Sequence, residues 1–312
     1  VVGLTNSRHM LVNDKGIDLT NWQDELSQAP SADISEFIQA AHTANLRNSV
    51  FVDVTANEKV AMVYDQLLSK SINVVACNKI AASGKLQYYQ QLKKLAREFN
   101  CHFHFETNVG AGLPVIATLN DLIRSGDRVR RIEAVLSGTL NFVFNHYDGT
   151  APFSKVVRQA QAEGYTEPDP RLDLGGTDVM RKIMILARES GQEIEMTDVV
   201  NNSFMPEVCM QGSVEDFYAS MLTEEAHFKA LLQEAHAKNC KLKFVASYKD
   251  GKAQVGLQHI PGDHDLYHLY GKDNIVLFYT DRYSEQPLVV KGAGAGAEVT
   301  ASGVFADILR TI

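Results

Sequence analysis

Cysteine is scarce in this chain. Its 312 residues carry four, Cys77, Cys101, Cys209 and Cys240, none in a CxxC pair. That excludes a disulfide scaffold and a ribbon-type zinc site, and fits reduced thiols in a cytoplasmic protein. Long apolar runs are missing too: no stretch approaches the ~20 residues of a membrane span. No signal-peptide pattern opens the chain. Positive charge is in deficit, with 30 Lys+Arg against 38 Asp+Glu and a net charge of −8, and no basic stripe interrupts it. A nucleic-acid surface is therefore not expected. No internal repeat or low-complexity linker divides the sequence.

What is present is alternation. "VVGLTN" reads as a strand, "DISEFIQAAHTANL" as a helix, "SVFVDVT" as a strand and "KVAMVYDQLLSK" as a helix. "INVVAC", "KLQYYQQLKKLAREF", "CHFHFET" and "LPVIATLNDLIRSG" continue strand, helix, strand, helix. Strands alternating with helices, some of them continuous apolar runs, imply an α/β, doubly wound, Rossmann-like parallel sheet. Ligands in such sheets bind past the carboxyl ends of the strands, which directs attention to the loops after Val54, Cys77 and Thr107. After "RIEAVLSGTLNFVF" the order changes. Helical stretches near 153–163 and 177–190 precede the strand-like runs "KFVASY", "QVGLQHI", "NIVLFYT" and "PLVVKG". Elements in blocks imply a second, mixed α+β domain. The expected division is 1–135 plus 290–312 for the nucleotide domain and 136–289 for the second, with the closing "EVTASGVFADILRTI" as a helix.

A dinucleotide-binding sheet opens with strand, GxGxxG and helix, so that the backbone can meet a pyrophosphate at the helix N-terminus. No such loop precedes "VVGLTNSRHM", which reads as the second strand of the sheet, with the first strand and phosphate loop missing. At the end of a second strand, Asp or Glu suits the ribose hydroxyls of NAD. Here Asn6, Ser7 and Arg8 stand instead, a neutral pair and an arginine suited to the 2′-phosphate of NADP. A solvated turn is the plainer alternative, and alone the more frequent one. "KGAGAGAEVTASG" places Gly292, Gly294 and Gly296 before a helix. It is either a close approach of backbone to a ligand or a tight turn capping the last helix.

The richest stretch is "YTEPDPRLDLGGTDVMRK", Tyr165–Lys182. It gathers Glu167, Asp169, Asp173 and Asp178 against Arg171, Arg181 and Lys182 on a loop stiffened by two prolines and shaped by two glycines. Asp178 and Lys182 are spaced i, i+4 and share a helix face. Alone they would be a surface ion pair worth a few tenths of a kcal/mol. In company, several carboxylates near one ammonium can bind a substrate ammonium and keep a lysine protonated, ready to act as a general acid. "HFHFE" offers a competing metal reading, since His102, His104 and Glu106 would share one face of a strand. A bare HxH is common by chance, and we set a transition metal there at roughly one in ten. The pair His264 and His268 ranks lower.

Taken together, "NSRHML", "NWQDEL", "VACNKIAAS", "ETNVGAGLPVI", "LSGTLNFVF", "GYTEPDPRLDLGGTDVMRK" and "GAGAGAEVTASGVFADILRTI" resemble homoserine dehydrogenase along essentially the whole chain. The dehydrogenase half of bifunctional aspartokinase–homoserine dehydrogenases is the nearest type. The resemblance implies reversible NAD(P)H-dependent reduction of L-aspartate 4-semialdehyde to L-homoserine, on the route to threonine, isoleucine and methionine. It implies NADP(H) with NAD(H) as the alternative, a homodimer or larger homo-oligomer, and an aspartokinase half upstream. By the same resemblance Glu167 and Asp173 bind the amino acid. Asp178 lies beside the reacting carbon, and Lys182 is the acid–base residue. Lys79 lies near nicotinamide and substrate, and Thr55 touches the cofactor. Glu106, Val109, Ala111 and Leu113 are implied to hold sodium or potassium, hard cations suited to oxygen ligands. The amides of "SGT", including Thr139, are our own candidate for the substrate carboxylate. Two rivals stay open: a non-catalytic regulatory fragment, and another NAD(P) enzyme of a small amino acid.

Overall fold

The structure, a computed structural model, describes residues 1–271 and 273–312. Its strands are β1 (Gly3–Thr5), β2 (Met10–Val12), β3 (Val50–Asp53), β4 (Asn73–Ala76), β5 (Phe103–His104) and β6 (Val129–Val135). The chain goes on through β7 (Val199–Asn202), β8 (Cys240–Lys249), β9 (Lys252–Pro261), β10 (Asp273–Thr280) and β11 (Leu288–Ala293).

β3, β4 and β5 form a three-stranded parallel sheet in that order. Every residue of β4 is buried, as its apolar run predicts. The helices Tyr64–Leu68 and Leu86–Glu98 pack beside it. The "KVAMVYDQLLSK" helix is broken by a turn at Met62–Val63 into two short pieces, Glu58–Ala61 and Tyr64–Leu68. The closing helix, Ala297–Leu309, returns from the far end of the chain to lie against β4.

The first strand corrects an expectation. β1 does not extend the parallel sheet; it pairs antiparallel with β2 in a two-stranded sheet of its own. The reason is local. The Asn6 side chain accepts the N–H groups of Arg8 and His9, both at 2.8 Å, while Asn6 N–H donates to the His9 carbonyl at 3.0 Å. An asparagine turn of this kind reverses the chain at once.

The second sheet has six strands in the order β11-β10-β6-β8-β9-β7, antiparallel except for β7 beside β9. β6 therefore belongs to it although it falls within 1–135, and β11 belongs to it although it straddles the expected boundary at 290. Strand pairing divides the chain before Val129 and after Ala293. The helices Gly138–His146, Thr177–Glu189 and Glu225–Ala237 cover one face. A smaller apolar cluster with Leu266, Leu269 and Leu277 holds together elsewhere. Thr177–Glu189 has a further role. It also packs on the helices Ile80–Ser83 and Val115–Arg124 of the first half, so it forms the seam between the two sheets. Val179, Ile183, Met184, Leu186 and Ala187 bury its apolar stripe.

Candidate active site

The site forms where that seam helix faces the carboxyl ends of the parallel strands. β4 ends at Ala76, and Lys79 follows at the start of a short helix. From across the seam Asp178 reaches it: Lys79 Nζ lies 3.4 Å from Asp178 Oδ1. One helical turn on, Lys182 Nζ lies 2.9 Å from the other oxygen, Oδ2. One carboxylate thus bridges two ammonium groups that arrive from different halves of the chain.

Lys182 is only 8% exposed. Its ammonium also donates to the Leu136 carbonyl at 2.7 Å. Two of its three N–H bonds have partners among the described residues. Burial pushes its pKa down, Asp178 opposes that, and Lys79 adds to the downward push. Burial raises the Asp178 carboxyl, but Lys182 and Lys79 outweigh it and hold it at about 2. Asp178 is therefore ionised at neutral pH, and Lys182 gives up its proton more readily than a solvated lysine.

Beside it, Asp173 is a second organising carboxylate. It accepts the Glu167 N–H at 2.9 Å and the Thr139 hydroxyl at 3.2 Å. The one Thr139 hydroxyl proton is shared between Asp173 and the Tyr165 carbonyl. Burial, then the charges of Glu167 and Asp178, raise the Asp173 pKa against those two donors. The Glu167 side chain is exposed. Asp169 is paired with Arg171, whose guanidinium lies 2.7 Å from it. So the acidic loop sorts into one internal pair, one half-buried brace and one outward carboxylate. Gly176 makes the turn into the seam helix with φ +75°, and a Cβ there would meet Phe244 at 2.8 Å.

Glu106 is held by protein partners. Its carboxylate accepts the N–H groups of Ile116 (2.6 Å) and Ala117 (2.8 Å), in the first turn of Val115–Arg124, where the helix dipole favours negative charge. Arg310 approaches the same group at 3.3 Å. The trio with His102 and His104 does not converge. The two imidazoles stack on each other at 5.1 Å instead, and His104 Nε2 is buried without a partner among the described residues. Among the described residues no three His, Cys, Asp or Glu side chains are placed to hold a metal. His264 faces Glu133 at 3.1 Å while His268 faces Tyr270, so that pair diverges as well. Ala111 has φ +53°, which turns its carbonyl toward Gly303 of the closing helix.

Burial pushes the Glu106 carboxyl up to about 7, against the amides and Arg310. A carboxyl whose folded pKa is raised gives stability that is full below about 4.5 and lost as pH rises through about 7. Glu106→Gln lacks this titration. Its melting temperature relative to the parent should climb between those two pH values. A difference that stays constant across the range would refute the buried-acid assignment.

In the glycine-rich run, Gly294 is closely packed. A Cβ at Gly294 would lie 2.0 Å from the Asn274 amide. That amide is buried, and neither its N nor its O has a partner among the described residues. Gly296, φ +123°, starts the closing helix. Arg8, Asn6 and Ser7 are exposed on the turn between β1 and β2. Thr55, exposed beyond β3, donates its N–H to Asp53 at 2.7 Å. Asp53, Asn78 and the Leu136 carbonyl went unmarked in the sequence. The only signal was an aspartate closing an apolar strand.

Residues 114–309 match a family described as homoserine dehydrogenase, and residues 1–106 match the homoserine dehydrogenase NAD binding domain. The bifunctional aspartokinase/homoserine dehydrogenase 2, chloroplastic, of Zea mays is 44% identical over 99% of this chain. This chain spans 34% of that protein, about a third of its length. Homoserine dehydrogenase of Schizosaccharomyces pombe is 38% identical over 94% of this chain and 81% of its own length. Among solved structures, a Candida auris protein of unknown function shares 34% identity at a TM-score of 0.93, covering 100% of this chain and 89% of its own. A hyperthermophilic archaeal homoserine dehydrogenase in complex with NADPH has a TM-score of 0.75 at 23% identity, covering 99% and 87%, a likeness of fold.

Proposed function

This chain belongs to the homoserine dehydrogenase family, and from that premise we propose that it interconverts L-aspartate 4-semialdehyde and L-homoserine with NAD(P)H. The observation that carries the reading is the Asp178 carboxylate holding Lys182 and Lys79 together past the ends of the parallel strands. A reduced nicotinamide bound there supplies the hydride. Lys182 gives its proton to the aldehyde oxygen and takes it back from homoserine in reverse. Lys79 adds positive charge beside the developing alkoxide. Glu167 meets the substrate ammonium, and Asp173 braces the loop that presents it. Amides at the start of Gly138–His146, near Thr139, suit the substrate carboxylate.

Thr55 and the turns around Gly292, Gly294 and Gly296 border the cofactor in this reading. Arg8, with Asn6 and Ser7, favours the 2′-phosphate of NADP. A sodium or potassium ion on the 109–113 turn, a homodimer or larger homo-oligomer, an attached aspartokinase half and a cytoplasmic setting complete it. No helix among the described residues is long and apolar enough to cross a membrane. Titrating NADPH oxidation against aspartate semialdehyde, with the full natural chain, tests the whole. Absence of turnover there would end it.

Cofactor choice has its own test. A charge-assisted bond contributes about 1.5–3 kcal/mol, so Arg8→Ala should weaken NADPH about tenfold or more and spare NADH. Equal loss for both cofactors, or none for either, would refute the role.

A further inference from the structure

Asp53 closes β3 and is 1% exposed. Three neutral donors hold its carboxylate: the Thr55 N–H at 2.7 Å, the Tyr64 hydroxyl at 2.5 Å and the Asn78 side-chain amide at 3.1 Å. Thr55 belongs to the loop after β3 and Asn78 to the loop after β4. Asn78, 2% exposed, then ties both loops again. Its amide donates to the Asn57 carbonyl at 3.0 Å, and its oxygen accepts the Ile80 N–H at 3.1 Å. The Cys77 N–H donates to the Asp53 carbonyl at 2.7 Å, so the backbone is pinned as well.

Lys79 lies between two fixed neighbours, Asn78 and Ile80. Its own ammonium must meet Asp178 on the seam helix. A long side chain finds one partner across a seam when its backbone cannot wander. We propose that Asp53 is a positioning residue, which through Asn78 fixes the loop carrying Lys79 and through its own bond fixes Thr55. The inference rests on the function proposed above and adds a determinant that touches neither substrate nor cofactor. A neutral amide cannot replace this carboxylate. Asparagine has one acceptor oxygen for three donors, and its NH2 would face another NH2.

The test compares Asp53→Asn, Asn78→Ala and Tyr64→Phe in the full natural chain. Tyr64→Phe removes a buried bond behind the carboxylate and leaves both loop bonds, so it reports stability alone. Asp53→Asn should lower kcat about tenfold to a hundredfold, for a fall in Tm no larger than that of Tyr64→Phe, which keeps kcat near the parent value. In a Lys79→Ala background Asp53→Asn should cost far less in kcat than in the parent, leaving only the smaller loss through Thr55. Multiplying losses, or a normal kcat in Asp53→Asn, would overturn the proposal. If Asp53→Asn does not fold, Asn78→Ala carries the same comparison. Should the parent chain show no turnover, the proposed function fails. The loop claim is then decided by amide hydrogen exchange. Faster exchange at both Thr55 and Ile80 in Asp53→Asn, but not in Tyr64→Phe, supports it, and unchanged exchange overturns it.

Discussion

Lys182→Ala lowers kcat by about 10²–10⁴ and leaves NADPH affinity nearly unchanged, the usual contribution of a positioned acid or base. That loss corresponds to roughly 3–5 kcal/mol of barrier. The contrast with a structural role is large. An ion pair with one half-exposed member is worth at most about 1 kcal/mol and would show in thermal melts rather than in turnover. Lys182 has the features of the first case. It is buried, and it is held between Asp178 and the Leu136 carbonyl. Steady-state kinetics at saturating aspartate semialdehyde, paired with melts, separates the two. A variant with a modest fall in Tm and near-normal kcat would remove Lys182 from the acid–base role.

Asp178→Asn gives the second large effect and a distinctive one. The variant keeps the shape of the bridge but removes the negative charge from between two ammonium groups. Burial already lowers the Lys182 pKa, Lys79 lowers it further, and Asp178 is what opposes them. With that opposition gone, the Lys182 pKa falls. Reduction of the aldehyde needs the protonated lysine, so the pH above which reduction slows moves down. Oxidation of homoserine needs the neutral amine, so its rise begins at lower pH as well. At neutral pH a loss in kcat of about 10²-fold is expected for reduction, since both charge and alignment suffer. The measurement is a pair of pH–rate profiles, one per direction. Breakpoints that stay where the parent has them would show that Asp178 does not set the proton affinity of Lys182.

Which parts of this could be read in advance depends on how local their cause is. The buried strand β4, the amphipathic helix Thr177–Glu189 and the i, i+4 pair on it follow from periodicity, which each segment carries by itself. β1 was legible as a strand but not by its partner. A single asparagine turn sends it back onto Met10–Val12, and pairing is a property of two segments. The sheet boundary was misjudged for the same reason. β6 follows the last helix of the first half in sequence, yet its hydrogen bonds go to β10 and β8, more than a hundred residues away.

At the site the division is similar. The sequence by itself determined the chemistry available: a loop rich in carboxylates, a lysine one turn after an aspartate, and a second lysine past a strand end, in a chain without a basic stripe or a disulfide framework. Tertiary structure alone decided which of those groups meet. It turned Glu106 onto a helix N-terminus and Asp169 onto Arg171. It brought Lys79 to Asp178 across 99 positions of chain, and it set Asp53 and Asn78 beneath the loop that carries Lys79. The physical reason is that a side chain's identity fixes its charge and its donors. Burial and the partner at hydrogen-bond distance fix its pKa and its role, and both come from segments remote in sequence.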